Sequence, residues 1–274
     1  MSELELNVHE FGELRNLIFR KCGIYMDDSK LLFLKRRVIQ RVEDLGLSSI
    51  SDYIKFLKIF DKKGIEIQKL INLITINETY FFREFDQLRI FGETCLPEIA
   101  EKKRKIRILS AGSSTGEEPY TLSIIGLEML PKGFDFEIYG IDIDMTAIEK
   151  AKAGIYDARA VKDVPKAYLE RYFEKLPEGF LIKDAPRKRV KFIHLNLKNG
   201  RGLMELGQFD FIFCRNVLMY FPMENRRQIV ENFYFILNTG GYIFLGASEF
   251  LSRITQAFTM KKIEGVHVYM KPEG

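Results

Sequence analysis

The hydrophobic positions of this chain follow two different periods, with the change near residue 75. Between residues 8 and 74, apolar residues recur every three or four positions, which is typical of amphipathic helices. The clearest stripe, about four turns long and followed by a glycine stop signal, consists of Leu31, Leu34, Val38, Val42 and Leu45. Further helices are predicted after SSIS at 48–51 and over Ile65–Ile74. Residues 1–75 are therefore predicted to form a small all-α domain.

From about residue 104 the pattern changes to short β-rich runs that alternate with helical stretches. These runs are KIRILSA (105–111), FEIYGIDI (136–143), RVKFIHL (189–195), FDFIFCRNV (209–217) and GYIFLGAS (241–248). Such alternation predicts a doubly wound α/β sheet over residues 104–274, with residues 76–103 as a linker that contributes to the ligand site. The final stretch, FTMKKIEGVHVYMKP, has two alternating runs around Glu264 and Gly265. It predicts a hairpin whose last strand enters the sheet antiparallel.

Composition narrows the class of protein without deciding its function. The 274 residues are 46% hydrophobic and 29% charged, as in ordinary globular proteins, and a net charge of +4 is too small to indicate a nucleic-acid partner. No apolar run approaches the roughly 20 residues that span a bilayer. The three cysteines are scattered without metal-binding or disulfide spacing, so no metal site is expected. Free thiols and a start unlike a signal peptide favour the reducing cytoplasm.

The stretch ILSAGSSTGEEPYTL (108–122) joins a predicted strand, a turn of small residues that begins at Gly112, and the start of a helix. Phosphate-binding loops have the same order, but they hold their anion with free backbone N–H groups. Here Glu117 and Glu118 occupy the place of that anion, at the sheet edge where ligands bind. The turn therefore indicates a positively charged ligand without phosphates. The alternative is that both glutamates merely complement the helix dipole.

Polar residues that end the other strands restrict further the kind of ligand that the site could bind. Asp142 ends the second strand, where a carboxylate can accept hydrogen bonds from the two hydroxyls of a ribose. S-adenosylmethionine fits a site of this kind, since its ammonium group needs a carboxylate and its sulfonium ion is poorly matched to a basic loop. Asn196 offers an amide that can both donate and accept, as an adenine edge requires. Arg215 and Asn216 end another strand, and the arginine there is either a ligand contact or a plain surface residue.

Five motifs, in this order, resemble the chemotaxis receptor methyltransferases, the CheR family. They are NETYFFRE (77–84), SAGSSTGEEPY (110–120), IDID (141–144), LNL (195–197) and FCRNVLMYF (213–221). The resemblance covers nearly the whole chain. It implies the α/β fold of class I S-adenosylmethionine-dependent methyltransferases, a Rossmann-like doubly wound sheet with an antiparallel last strand. An all-α domain precedes this sheet, and a small β subdomain is inserted near 176–193.

The resemblance also implies an activity and assigns residues to it. The activity is O-methylation of glutamate side chains on chemoreceptors, with S-adenosylmethionine as cofactor and S-adenosylhomocysteine as product. The cofactor-binding candidates are Asn77, Thr79, Arg83, Gly112, Glu117, Glu118, Asp142, Asn196, Leu197, Arg215 and Asn216. Arg83 and Tyr220 match the family positions nearest the transferred methyl group and are the catalytic candidates, although Tyr220 also fits a core aromatic. Glutamate is already an anion at neutral pH, so no general base is expected.

Substrate contacts are expected on a helix with a run of cations and no acid between them. The run is Lys30, Lys35, Arg36, Arg37 and Arg41. It is either a solvated face or, as the resemblance implies, a surface that attracts the glutamate-rich cytoplasmic methylation helices of chemoreceptors. In the family, the β subdomain can tether a peptide from the receptor C-terminus by strand addition, whereas Pro186 and the following RKR run equally fit a plain turn. We expect a cytoplasmic monomer that binds no nucleic acid and inserts into no membrane.

Two other functions share parts of this pattern. A methyltransferase of the same fold could act on a small molecule or a nucleic acid, because the fold alone does not fix the substrate. A nucleic-acid enzyme should add stacking aromatics and a larger basic surface, and CRNV stands where amino-group methyltransferases carry an NPPY-type signature. A non-catalytic adaptor that binds S-adenosylmethionine would retain Asp142 and the glycine turn, but it would have no need of Arg83 and Tyr220.

Overall fold

The computed structural model describes residues 5–273, which form a helical N-terminal domain and an α/β domain. The N-terminal helices are α1 (Val8–Cys22), α2 (Leu31–Asp44), α3 (Ile50–Lys55) and α4 (Ile65–Ile74). Helix α1 begins at a capping box, in which Asn7 and Glu10 each accept the backbone N–H of the other. It ends at Gly23, whose φ of 82° is left-handed. The helical pattern predicted for this part of the chain is confirmed.

The apolar stripes of these four helices face one another. Leu14, Ile18, Val38 and Leu70 are fully buried members of a core that belongs to the helical domain alone. Burial of such a side chain stabilises the folded state by roughly 1.5–3 kcal/mol, so this domain has its own hydrophobic support.

Ten strands follow the helical domain. They are β1 (Lys105–Ala111), β2 (Asp135–Asp142), β3 (Ile155–Tyr156), β4 (Phe173–Leu176), β5 (Gly179–Ile182), β6 (Val190–His194), β7 (Phe209–Cys214), β8 (Leu237–Leu245), β9 (Thr259–Ile263) and β10 (Val266–Met270). Seven of them form the main sheet in the order β6-β2-β1-β7-β8-β10-β9. The strands from β6 to β8 are parallel, whereas β10 pairs antiparallel with β8 and with β9. The predicted α/β fold with an antiparallel last strand is confirmed, and the final hairpin turns at Glu264 and Gly265.

Eight helices cover the main sheet and its loops. They are α5 (Phe85–Ile90), α6 (Leu96–Lys102), α7 (Glu117–Met129), α8 (Met145–Ala153), α9 (Lys166–Tyr172), α10 (Asp184–Arg187), α11 (Gly200–Glu205) and α12 (Met223–Ile236). Within residues 5–273, no helix combines the length and apolar character that crossing a bilayer requires.

The segment predicted as a linker, residues 76–103, is helical over most of its length. A π-helical turn at Phe91–Cys95 joins α5 to α6. The ring of Phe91 is fully buried and lies 5.1 Å from the rings of both Phe211 and Phe213, measured between centroids. These two helices therefore belong to the core of the α/β domain, and only residues 76–84 cross between the domains.

A second, three-stranded sheet in the order β3-β5-β4 forms the inserted β subdomain. Its hairpin pairs Phe173 with Ile182, and Tyr156 pairs with Phe180. The subdomain thus begins earlier than the predicted 176–193, whose last residues belong to β6 of the main sheet. The two-residue strand β3 is too short to give an alternating pattern, which explains the late boundary. Pro186 lies in α10 rather than in a plain turn.

Strand β1 lies between β2 and β7, so the winding direction of the sheet reverses there. The carboxyl ends of these strands face the helical domain. The Gln68 side-chain amide donates to the Ile143 carbonyl at 2.8 Å, and the Tyr25 backbone N–H donates to the Tyr220 carbonyl at 3.2 Å. The edge at which α/β proteins bind ligands is therefore covered by the helical domain.

Candidate functional site

A cavity of about 440 Å³ lies at the carboxyl ends of β1, β2 and β7, beneath the helical domain. The predicted site residues that line it are Asn77, Thr79, Arg83, Gly112, Glu118, Asp142, Asn196, Leu197, Arg215, Asn216 and Tyr220. The helical domain adds a wall that the sequence did not reveal, formed by Cys22, Ile24, Tyr25, Met26, Lys30 and Phe33. Residues far apart in the chain thus meet around one cavity.

The turn after β1 is shaped by a glycine in a left-handed conformation. Gly112 has a φ of 84°, and a Cβ atom there would lie 2.4 Å from Cγ2 of Val217. The backbone N–H groups of Gly112 and Ser113 both donate to the Ile141 carbonyl at 2.9 Å. Glycine is therefore required at this position both by the backbone and by the close approach of Val217.

Asp142 ends β2 with a buried carboxylate that the backbone holds from two sides. The Ser114 N–H donates to one oxygen and the Asp144 N–H to the other, each at 2.8 Å. Burial raises the pKa of Asp142, while these hydrogen bonds oppose that rise. Each oxygen retains acceptor capacity towards the cavity, as the binding of ribose hydroxyls requires.

Asp144 lies next to the cavity and was not among the candidate residues from the sequence. One of its oxygens accepts from the Thr75 hydroxyl and the Asn77 amide, both at 2.7 Å. The other accepts the N–H groups of Thr146 and Ala147 and caps α8. This buried carboxylate therefore joins the segment between the domains to the end of β2. The only available signal was the second acid of the IDID motif.

The two adjacent glutamates at the start of α7 have different environments. Glu118 lines the cavity, accepts from the Ser110 hydroxyl at 2.6 Å and pairs with Arg215 at 3.2 Å. Burial raises the pKa of Glu118, and the charge of Arg215 opposes the rise. Glu117 instead accepts from the Thr115 hydroxyl at 2.7 Å and does not line the cavity. The two side chains leave the helix in different directions, so of the two predicted contacts the geometry favours Glu118, while the contact of Glu117 stays a prediction.

The loop after β7 is held by Glu249, whose role no motif in the sequence indicates. Its carboxylate accepts the backbone N–H groups of Asn216 at 2.8 Å, Gly246 at 3.0 Å and Met219 at 3.2 Å. Asn216 has a φ of 59°, an uncommon conformation for a residue other than glycine. The loop that leads to Tyr220 is therefore fixed by a carboxylate from the loop after β8.

Arg83 and Tyr220, the two catalytic candidates, both line the cavity. Arg83 donates to the Glu78 carbonyl at 2.5 Å, and its guanidinium lies 5.8 Å from the centre of the Tyr80 ring. Burial raises the pKa of Tyr220, and the nearby charge of Arg83 opposes this rise. The hydroxyl of Tyr220 thus stays protonated at neutral pH and can donate a hydrogen bond.

Asn196 lines the cavity, but part of its amide already bonds to the protein. Its oxygen accepts the Lys198 N–H at 2.9 Å, and its nitrogen donates to the Lys21 carbonyl at 3.2 Å. One donor and one acceptor position remain, which is what an adenine edge needs. Leu197, which follows, adds a buried apolar surface.

Unusual backbone conformations concentrate at this cavity. In the part of the chain that the structure describes, the residues with positive φ other than glycine are Phe82, Glu84, Ser114, Asn216 and Glu264. Three of them line the cavity, Glu84 adjoins it, and Glu264 belongs to the final hairpin. Such conformations are more common at functional sites, where the surrounding structure supports them.

The cations predicted to form one helix face differ in how exposed they are. Arg36 is exposed, Lys35 pairs with Glu5 at 2.8 Å, and the guanidinium of Arg37 lies over the ring of Phe33. Arg41 is only 8% exposed. The docking role of Arg41 stays a prediction, which the burial of its side chain does not favour.

The reason is an ion pair inside the helical domain. The Arg41 guanidinium bonds to both oxygens of Glu66, at 2.7 and 2.9 Å, and the Tyr53 hydroxyl also donates to Glu66. A run of cations on one helix cannot show which member turns inward to meet an acid on another helix.

The chemistry of the cavity fits S-adenosylmethionine. The partly buried carboxylate of Glu118 and the buried carboxylate of Asp142 are suited to an ammonium group and to ribose hydroxyls. The remaining polarity of Asn196 and the apolar surface of Leu197 suit a purine. No basic phosphate cradle is formed, since the start of α7 carries the two glutamates.

Comparisons with known proteins identify the family. Residues 77–266 match "CheR methyltransferase, SAM binding domain", and residues 9–75 match "CheR methyltransferase, all-alpha domain". The chain is 40% identical to "Chemotaxis protein methyltransferase 2" of Vibrio cholerae over 99% of this chain and 96% of that protein. It is 31% identical to "Chemotaxis protein methyltransferase" of Escherichia coli, over 94% and 90% of the two chains.

Among solved structures, the N-methyltransferase NodS of Bradyrhizobium japonicum is similar at a TM-score of 0.41 and 15% identity, covering 70% of this chain and 98% of NodS. The two family matches together span most of the chain. This protein therefore belongs to the CheR methyltransferase family, and its cofactor is S-adenosylmethionine.

Proposed function

We propose that this protein methylates glutamate side chains on the cytoplasmic helices of chemoreceptors and forms glutamyl methyl esters. The observation that carries the proposal is the lining of the cavity. The carboxylates of Glu118, which is partly buried, and Asp142, which is buried, line the cavity, and the donors Arg83 and Tyr220 lie near one another. None of the cavity-lining residues that the structure describes is a histidine. This suits a carboxylate substrate, which needs no general base.

Each side chain has a role in binding the cofactor. Asp142 accepts the ribose hydroxyls, Glu118 accepts the ammonium group, and Asn196 bonds to the adenine edge above Leu197. Asn77, Thr79, Asn216 and the turn at Gly112 complete the enclosure. Support comes from the burial and the remaining hydrogen-bonding capacity of these groups.

Bound S-adenosylmethionine supplies a methyl group, which passes to a carboxylate oxygen of the substrate while the sulfur keeps the electron pair of the broken C–S bond. The protein contributes mainly by positioning the substrate carboxylate and excluding water from it. Arg83 attracts that carboxylate, and the hydroxyl of Tyr220 orients it. A neutral donor such as Tyr220 favours orientation without the excessive stabilisation of the anion that would slow transfer.

Docking of the receptor takes place on cations of α2 and the turn before it, of which Lys30 and Arg36 are exposed and Lys35 and Arg37 are partly exposed. Lys30 also lines the cavity, so this surface is continuous with the site. Glutamate-rich helices would be attracted by it, and the attraction would weaken as salt screens the charges.

The proposal includes a tether and a cytoplasmic, monomeric protein. Strand β4 pairs only with β5 in the small sheet, so its other edge can accept a peptide strand from the receptor C-terminus. Light scattering after gel filtration should give the mass of one chain. Removal of the last residues of the receptor should raise the KM for receptor without changing the affinity for cofactor.

Titration calorimetry with S-adenosylmethionine and S-adenosylhomocysteine, for the wild type and Asp142→Ala, is the first test. Binding that Asp142→Ala abolishes should be followed by transfer of tritiated methyl groups to receptor-bearing membranes. Label that mild base releases as methanol identifies a methyl ester. Base-stable label, or label on nucleic acid or a small molecule in the same extract, would contradict the proposed substrate. Binding without transfer to any acceptor would indicate an adaptor.

A further inference from the structure

Glu84 forms an ion pair with Arg215 from the side away from the cavity. The distance between Nη2 of Arg215 and Oε2 of Glu84 is 3.4 Å. On the cavity side, Nη1 of the same guanidinium lies 3.2 Å from Oε2 of Glu118. Glu118 and Arg215 line the cavity and Glu84 does not. A single buried arginine thus lies between two carboxylates.

The conformation of Glu84 is fixed and unusual. Its φ is 56°, in the left-handed region, and it immediately precedes the first residue of α5. Arg215 also donates to the carbonyl of Arg83, the residue before it. A non-glycine residue in this conformation is costly, so the surrounding contacts must maintain it. The strained backbone directs the carboxylate towards Arg215.

The side chains of Glu84, Glu118 and Arg215 together carry more negative than positive charge. When ionised, two carboxylates and one guanidinium carry a net charge of −1. Without Glu84, Arg215 would neutralise Glu118, and this part of the wall would carry no net charge. Charge interactions of this kind are strong where water is excluded, and the side chain of Arg215 is only 5% exposed.

We propose that Glu84 is a positioning residue that engages Arg215 from behind and so leaves the charge of Glu118 available to bind an ammonium group. The inference rests on the proposed contact between Glu118 and the cofactor ammonium. Glu84 touches neither cofactor nor substrate and acts through Arg215.

The test compares two ligands, one with an aminopropyl chain on its sulfur that ends in an ammonium group and one with a methyl group in place of that chain. Decarboxylated S-adenosylhomocysteine carries an ammonium but no carboxylate, and 5′-methylthioadenosine carries neither. Glu84→Gln should weaken binding of the first ligand about tenfold in calorimetry and change binding of the second less than about twofold. Glu84→Asp, which keeps the charge, should restore most of the affinity. Asp86→Asn removes an exposed charge two residues away and should leave the affinity for both ligands unchanged.

Two outcomes would overturn the inference. An equal loss for both ligands would mean that Glu84 only supports the fold, and no loss for either would mean that it does not affect the charge of the site. Glu84→Met removes the same charge and serves if Glu84→Gln does not fold. Failure of the wild type to bind S-adenosylmethionine would instead contradict the cofactor site itself, so the two failures are distinguishable.

Discussion

The side-chain amide of Asn77 donates a hydrogen bond of 2.7 Å to the carboxylate of Asp144. Asp144 is buried, and through its other oxygen it caps the helix that follows β2. One carboxylate therefore fixes both the crossing between the domains and the loop beside Asp142. The position of Asn77 in the cavity depends on this contact.

Replacement of Asp144 should affect both stability and cofactor binding. Asp144→Ala removes a helix cap and two side-chain hydrogen bonds, so the free energy of unfolding should fall by about 3 kcal/mol. Calorimetry should also show weaker binding of S-adenosylmethionine. Asn199→Ala is the control, since it removes only the cap of α11 and should cost about 1 kcal/mol. If Asp144→Ala bound the cofactor as tightly as the wild type, the hydrogen bond between Asn77 and Asp144 would not support the cofactor site.

Two glycines with nearly the same backbone conformation form a matched pair. Gly112 and Gly133 have φ values of 84° and 85°, but only at Gly112 would a Cβ meet another residue. Gly133→Ala should therefore lower the free energy of unfolding by about 1 kcal/mol and leave binding intact. Gly112→Ala should lower it further and abolish binding of S-adenosylmethionine. If the two variants lowered the free energy of unfolding in denaturant equally, Val217 would have moved to make room for the new Cβ.

Tyr220→Phe should separate catalysis from cofactor binding. Loss of one hydrogen-bond donor to the substrate should lower kcat about tenfold. The Kd for S-adenosylmethionine should stay the same, because Asp142 and Glu118 are unaltered. Methyl-transfer rates at saturating cofactor, together with calorimetry, measure the two quantities. Full turnover by the variant would exclude the hydroxyl from the mechanism.

Charge reversal on α2 should act on the receptor and not on the cofactor. Arg36→Glu with Arg37→Glu should raise the KM for receptor more than about tenfold, most strongly at low salt. The same reversal at Lys62 and Lys63, both exposed in the turn before α4, should change KM much less. If both double variants raise KM equally, attraction depends on the overall charge of the protein and α2 is no specific docking surface.

The acid stability of the sheet should depend on Glu137. Burial raises its pKa, but hydrogen bonds from Lys191, Lys105 and Arg107 outweigh this effect and lower the pKa to about 2, from an ordinary value of 4.5. Because the folded-state pKa is the lower one, the stabilisation is complete above about pH 4.5 and is lost as the pH falls towards 2.

Glu137→Gln should therefore lower the free energy of unfolding at neutral pH and flatten its decline in acid. Denaturant unfolding at a series of pH values measures both effects. Glu149→Gln changes an exposed carboxylate that pairs with Lys152, and it should keep the slope of the wild type. If the free energy of unfolding of Glu137→Gln fell in acid as steeply as that of the wild type, other carboxylates would dominate acid unfolding.

The sequence predicted the main sheet well because its strands are contiguous apolar runs with clear ends. The polar residues that follow these runs, such as Asp142 and Arg215, had to meet at one edge of a doubly wound sheet. The turn at Glu264 and Gly265 was readable for a similar local reason, since a hairpin needs residues that tolerate positive φ.

Other features depend on orientation or on distant contacts, which a sequence does not display. Glu117 and Glu118 are adjacent residues of the same type. Successive residues of a helix are rotated by about 100°, so Glu118 lines the cavity and Glu117 does not. Arg41 turns inward because Glu66 lies opposite it on another helix. Glu249 is 33 residues from Asn216, and its role appears only when the loops after β7 and β8 meet.

The wall that Tyr25, Met26 and Phe33 contribute has a consequence for how the molecule responds to its ligand. A ligand that contacts both domains binds most tightly when both are folded and docked, so part of its binding free energy is a coupling free energy between them. Saturation with S-adenosylmethionine should therefore merge the melting of the two domains into one cooperative transition. The α/β domain alone, without the helical domain, would bind the nucleoside at an open site, and the nucleoside would dissociate quickly.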